Sequence, residues 1–264
     1  PNNAEDYRFV ETDIRNEADV KRLFKEVQPD VVINCSALSV PDYCETHHEE
    51  AYLTNVTAVG QLADLCEEYK SRFIHLSTDF VFDGKINKAA GLLYTEEDLP
   101  APVNYYGYTK WKGEERVAET CSSYAIVRVE IVYGKALPGQ HGNIVQLVMN
   151  RLKAGQEIRV VSDQWRTPTY VGDVSDGVLR LIEHTTNGIF HICGDECMTI
   201  AEIAYQIADY MKLDRSLIHP ATTEEMNEST PRPRFSGMSI DKARTMLGYR
   251  PKKLKEILTN WDNL

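Results

Sequence analysis

The chain has 264 residues, 42% of them hydrophobic, with 29 Lys and Arg against 40 Asp and Glu and a formal net charge of −11. That length and apolar content suffice for one large α/β domain or for a domain with a smaller lobe. The acidic balance argues against a nucleic-acid backbone or an anionic membrane surface as the main partner.

In chain order, Tyr7–Val10 reads as a short strand running into Glu11-Thr12-Asp13. Asn16 suits an N-cap, and Val20, Leu23, Phe24 and Val27 follow at helical spacing. Val31 to Cys35 is a continuous apolar run of the kind buried on both faces of a parallel sheet. A long helix is expected from about Glu49, with Tyr52, Val56, Val59, Leu62, Ala63 and Cys66 on one face. Arg72 to Leu76 is the next strand, and it ends at Ser77-Thr78. A polar loop with Gly84, Gly91, Pro100 and Pro102 leads to a helix carrying Tyr106 and Lys110. Tyr124 to Val129 is again β-rich.

This rhythm predicts a doubly wound parallel sheet, with function at the carboxyl ends of its strands. Asp13, Ser36, Thr78 and Glu130 fall at such ends in this reading. Beyond Gly134 a helix is expected over Ile144–Leu152, a strand over Ile158–Val161 and a turn at Arg166–Tyr170 leading into another helix. A strand follows at Gly188–Ile192, then a helix marked by Ile200, Ile203, Ala204, Ile207 and Met211. Pro231–Arg234 reads as stiff, basic and exposed. The expected division is a dinucleotide-binding domain over 1–134 and a smaller mixed α/β substrate lobe over 135–264, whose elements interleave with it.

Six cysteines, at positions 35, 44, 66, 121, 193 and 197, form no CxxC pair and read as the reduced thiols of a cytoplasmic protein. There is no apolar run of membrane-spanning length and no signal-peptide pattern. His47 and His48 beside Asp42 and Glu45 suggest a metal cluster at first sight. Adjacent histidines diverge by about 100° on a helix, so no metal site is expected.

Tyr106 and Lys110, four apart on a helix, share a face. A lysine cation beside a phenol lowers its pKa, so that the phenol can pass protons near neutrality. A hydroxyl from Thr78 or Ser77 can then hydrogen-bond the carbonyl being reduced or the alcohol being oxidised. The trio is the machinery of a nicotinamide-dependent oxidoreductase. Its usual companion, a glycine-rich phosphate loop, is missing, because the first glycine is Gly60. The expectation is a chain lacking its first βαβ unit, the alternative a naturally shortened protein that has lost cofactor binding.

Several segments together resemble the extended short-chain dehydrogenase/reductase superfamily and, within it, the dTDP-4-dehydrorhamnose reductase family, whose relatives include the methionine adenosyltransferase β-subunit. They are Thr12-Asp13-Ile14; Pro29-Asp-Val-Val-Ile-Asn34 followed by Cys35-Ser36-Ala37; Asp42 with Glu45; Ser77-Thr-Asp-Phe-Val-Phe-Asp-Gly84; Asn104-Tyr-Tyr-Gly-Tyr-Thr-Lys110; Thr167-Pro-Thr-Tyr170 with Asp173; and Arg232-Pro233. The resemblance implies that Tyr106 donates the proton and that Lys110 holds the nicotinamide ribose of NADPH or NADH. Thr78 would bond the 4-keto oxygen, with Asp79 beside the sugar. Asp13 and Ile14 would flank the adenine, and Ser36, Ala37 and Leu38 would line the cofactor.

Where the family carries an R-T-S-W-V-Y-G-like segment, this chain has Arg128-Val-Glu-Ile-Val-Tyr-Gly134. Ile131 stands in place of the tryptophan that packs on the sugar nucleotide, and Glu130 adds a carboxylate. Arg232 could hold substrate phosphates through its planar fork or could be a solvated loop arginine. The implied function is reduction of a nucleotide-linked 4-keto-6-deoxysugar, with a homodimer as a possible assembly. The alternatives are a non-catalytic regulatory subunit of a partner enzyme and a nucleotide-sugar epimerase or dehydratase.

Overall fold

The structure, a computed structural model, describes residues 8–86, 91–136 and 142–263. Its centre is a four-stranded sheet in the order β1-β2-β3-β8, every pair parallel. The strands are β1 (Val31–Asn34), β2 (Arg72–Thr78), β3 (Tyr124–Val129) and β8 (Gly188–His191).

Alternate residues of β2 and β3 point to opposite faces, as strand geometry requires. Phe73 and Ile126 pack under α1 (Glu17–Val27), α4 (Ala58–Tyr69) and α5 (Tyr105–Thr120). Ile74, Ala125 and Val127 pack under α7 (Val171–Glu183) and α10 (Asp241–Leu247). Helices therefore cover both faces, and the doubly wound arrangement expected from the sequence is present.

The local causes are plain in α1. The Asn16 side chain accepts from the Asp19 N–H, Val20 and Phe24 face the core, and Gln28 in a left-handed conformation ends the helix. Between β1 and β2 the chain forms α2 (Pro41–Thr46) and α3 (His48–Tyr52), then widens into a π-helical turn at Leu53–Thr57 before continuing as α4.

Beyond residue 134 the chain serves two bodies. α7, β8 and α10 complete the central sheet and its cover. A second core lies among α6 (Ile144–Lys153), β5 (Ile158–Val161), α8 (Ile200–Met211), β10 (Ile218–Ala221) and α11 (Leu254–Thr259). Three short strand pairs lie outside the main sheet: β4 (Val132–Tyr133) with β7 (Thr169–Tyr170), β6 (Trp165–Arg166) with β9 (Met198–Thr199), and β5 with β10. α9 (Thr223–Met226) follows β10.

Four expectations are corrected. Arg8–Val10 forms no strand, and Phe9 is 89% exposed, because no neighbouring strand among the described residues pairs with it; Tyr7 lies outside them. β1 ends at Asn34 rather than Cys35 and is not buried on both faces: among the described residues it is an outer strand of the sheet, with Ile33 44% exposed. Arg166–Tyr170 is not a simple turn but holds parts of β6 and β7. Pro231–Arg234 is not uniformly exposed. Pro233 is buried against Gly84, whose φ of +73° and approach to Pro233 leave no room for a side chain. His47 and His48 do diverge, stacking on Tyr43 and Tyr105 respectively.

Candidate active site

Because the strands are parallel, their carboxyl ends open along one edge. Thr78 is the last residue of β2, and Asp79 begins a short turn there. Tyr106 and Lys110 enter from the first two turns of α5. Asn104 caps that helix by accepting from the Gly107 N–H at 2.9 Å, and it donates to the Pro231 carbonyl at 2.8 Å. Gly107 is required by close approach, since a Cβ there would sit 2.1 Å from the Phe80 carbonyl oxygen. Only glycine lets α5 lie this close to the turn after Thr78. Phe80 in turn packs edge-on against Tyr106, with ring centroids 5.7 Å apart.

The structure thus brings Thr78, Asp79, Tyr106 and Lys110 together. Their electrostatics differ from expectation. Burial raises the Tyr106 phenol, the Thr78 hydroxyl partly offsets that rise, and the Asp79 charge adds to it. Lys110 has no part in lowering it. Its Nζ donates to the Leu76 carbonyl at 2.7 Å and lies 3.5 Å from His75 Nε2. Burial lowers Lys110 to about 8, against the opposing charges of Glu114 and Cys35. The lysine is therefore a buried donor beside the β1 edge rather than the partner of the phenol.

Sequence reasoning missed the residues that hold this edge. Asn55, in the π-helical turn and fully buried, accepts from the Leu38 N–H at 2.8 Å and donates to the Leu38 carbonyl and the Thr109 hydroxyl, each at 3.0 Å. It ties the loop after β1 to α5. Asn34 accepts from the Ser36 N–H at 3.0 Å and meets His75 Nδ1 at 3.1 Å. Ser36, Ala37 and Leu38 therefore form a held, partly exposed rim after β1, next to Cys35, whose charge acts on Lys110. The available signal was a lone asparagine in the apolar face that runs from Tyr52 to Val59.

Asp13 and Ile14 stand apart. Asp13 lies in the turn ahead of α1, not at a strand end, and Arg15 binds its carboxylate at 2.7 Å, which holds it near a pKa of about 2. Ile14 packs against the core beneath α1. No hydrogen bond among the described residues joins either one to the Tyr106 group.

On the other side, Phe80, Ile131, Arg151, Arg159, Arg166 and Arg232 line a cavity of about 540 Å³ between the sheet edge and the second core. Ile131 has φ +37°, rare for a β-branched residue and held by the Thr169 N–H on its carbonyl at 3.1 Å. Arg232 is half-buried and ion-paired with Glu228 at 3.3 Å and Asp42 at 3.5 Å, so it is neither free nor fully solvated.

A family model for the RmlD substrate binding domain matches residues 3–262. The chain belongs to the RmlD substrate-binding-domain family. It is 32% identical over 251 residues to a probable low-salt glycan biosynthesis reductase of Haloferax volcanii, covering 94% of this chain and 82% of that protein. It is 34% identical over 249 residues to methionine adenosyltransferase 2 subunit beta of Xenopus laevis, covering 92% and 73%. Its structure resembles that of dTDP-4-dehydrorhamnose reductase from Bacillus anthracis in complex with NADP, with a TM-score of 0.89 at 28% identity, covering 99% and 92% of the two chains. This RmlD-family chain shares the fold of that relative and lines its own cleft with Ile131, next to the buried Glu130.

Proposed function

We propose that the protein is an NAD(P)H-dependent reductase of the short-chain dehydrogenase/reductase type, acting on a nucleotide-linked 4-keto-6-deoxysugar. The observation that carries this reading is the pairing of the Tyr106 phenol with the Thr78 hydroxyl beside an arginine-lined cavity. The likeness to named reductases at 32% and 28% identity supports it.

The residues present suit the nicotinamide-ribose end of the cofactor. Lys110 Nζ has three N–H bonds and two neighbours, Leu76 O and His75 Nε2, which leaves a donor for a ribose hydroxyl. The Ser36–Leu38 rim lies on the same edge. No glycine precedes Gly60, so no residue is assigned to the pyrophosphate.

The cofactor, when bound, supplies the hydride. Thr78 orients the keto oxygen by hydrogen bonding, and Tyr106 gives its proton to that oxygen as it becomes an alcohol. A phenol whose pKa is raised stays protonated until the substrate oxygen gains charge, which suits it to act as an acid. The Arg151 side chain has no partner among the described residues and offers a guanidinium fork for a diphosphate, with Arg159 on the same cavity wall; Arg232 would have to exchange its carboxylate partners to join them.

The test is Tyr106→Phe in the full-length protein. Turnover should fall by about a hundredfold or more, as expected on losing a general acid, while NADPH or NADH binding, followed by nicotinamide fluorescence, stays nearly intact. An unchanged rate overturns the reading.

A second reading, a non-catalytic subunit of a partner enzyme, is favoured by the 34% identity to methionine adenosyltransferase 2 subunit beta and by Ile131 in place of an aromatic platform. Co-purification with such an enzyme, together with no turnover by the full-length protein, would select it.

A further inference from the structure

Behind Thr78 lies a buried cluster of Asp79, Glu130, Arg166 and Ser236, none more than 4% exposed. The Ser236 Oγ is 2.6 Å from Asp79 Oδ2 and 2.8 Å from Glu130 Oε1. A serine hydroxyl has one hydrogen, so it can donate to only one of these oxygens. The other contact is a hydrogen bond only if the carboxyl itself brings the proton. Two ionised carboxylates would leave one pair of oxygens facing lone pair to lone pair.

The charge balance agrees. Arg166 is the cation that acts on both acids among the described residues, and its Nε stands 3.8 Å from Asp79 and 3.7 Å from Glu130, beyond hydrogen-bond length. Its other nitrogens are spent on the Trp165 carbonyl at 2.8 Å and Gln164 Oε1 at 3.1 Å. One guanidinium and two carboxyls sharing one proton sum to zero charge, the state a dry interior favours. The Glu130 Oε2 is fixed by the Thr167 backbone N–H at 2.8 Å and by the Thr167 hydroxyl. Burial raises both carboxyls, and the Asp79 charge raises Glu130 further. The neighbouring Cys193 thiol is raised as well, by burial first and by Glu130 next, so it stays neutral.

The chain of contacts continues to the reacting group. Asp79 Oδ1 meets the Thr78 Oγ1 at 3.1 Å, and the Thr78 hydroxyl acts on the Tyr106 phenol. We propose that Asp79 and Glu130 share one proton through Ser236, and that this proton reloads Tyr106 after each reduction. The relay rests on the reductase reading. In it, NAD(P)H gives a hydride to the substrate carbon while the Tyr106 O–H bond breaks and its proton joins the substrate oxygen. The phenolate then takes a proton from Thr78 Oγ, and Thr78 takes one from the Asp79 carboxyl. Both acids are left ionised against Arg166 until one solvent proton restores the pair. Glu130 and Ser236 are thereby positioning residues, which touch no substrate.

Infrared difference spectroscopy on the full-length protein tests the shared proton without needing activity. The wild type should show a carboxylic-acid C=O band that shifts in D₂O. The band should be lost in Glu130→Gln, where Asp79 alone takes the serine proton, and regained in Glu130→Asp. Kinetics test the relay: in Glu130→Gln and Ser236→Ala the steady-state rate should fall by about tenfold more than the single-turnover rate. Equal losses in the two regimes, or none, overturn it. A working reductase with no acid band also overturns it. A protein that shows the band yet oxidises no NAD(P)H with any nucleotide-linked keto sugar removes the reductase reading first and the relay with it.

Discussion

Lys110 Nζ sits in a dry slot between the Leu76 carbonyl and a neutral His75 ring. Burial lowers His75 well below its usual value, and the Lys110 charge lowers it further. Burial likewise lowers Lys110, to about 8, against the opposing charges of Glu114 and Cys35. With ¹³C-labelled lysine, one side-chain resonance should titrate near pH 8 while the surface lysines titrate more than two units higher. A Lys110 resonance with an ordinary midpoint would show the slot to be wet. The linkage has a definite sign. The folded pKa lies below the unfolded one, so between about pH 8 and 10.5 the unfolded chain binds more protons and this group's contribution to stability rises with pH. Tyr106, Lys110 and Thr78 were legible in the sequence because spacing on one helix and position at one strand end place them. Ser236 was not, since it lies 157 positions from Asp79 and no periodicity links them. His75 was hidden between the apolar Phe73, Ile74 and Leu76 of β2.

At the scale of elements, α5 is the part on which the site depends, and two close approaches locate it. Its first turn lies against the Phe80 carbonyl through Gly107, and the Asn55 side chain binds Thr109 two residues later. Gly107→Ala would place a methyl 2.1 Å from a carbonyl oxygen, so the helix start must shift. We expect a loss of about 1–3 kcal/mol in urea unfolding, the range for overpacking, with turnover falling further than stability alone explains because Tyr106 moves with the turn. Full activity in Gly107→Ala would mean that Tyr106 need not be held where it is. The long elements were readable: α1, α4, α6 and α8 by their 3.6-residue stripes, and β2, β3 and β8 by their apolar runs. The two-residue strands β4, β6, β7 and β9 were not, because a segment that short has no period and exists only through its partner. β10 contains Pro220, which argues against a central strand, and it is tolerated because β10 pairs on one side only, with β5.

At the scale of the whole molecule, the interior carries opposing proton loads. Asp79 and Glu130 are raised, so the folded chain binds more protons than the unfolded one above the usual carboxylate range, and their contribution to stability falls as pH rises through it. His191 works the other way. It lies at the end of β8, its Nδ1 donates to the Ser239 carbonyl at 3.2 Å, and its Nε2 is buried with no hydrogen-bond partner among the described residues. Burial and the Arg128 charge lower it to about 3. Between about pH 6.5 and 3 the unfolded chain therefore binds the extra proton, and stability falls as pH drops, by about 1.4 kcal/mol for each unit. His191→Asn keeps an N–H near the Ser239 carbonyl but cannot titrate. Its urea midpoint should decline less between pH 7 and 4 than that of the parent, by an amount equivalent to about 3 kcal/mol. If both proteins decline in parallel, the acid sensitivity belongs to other groups, with the neutral His75 beside Lys110 the next to test.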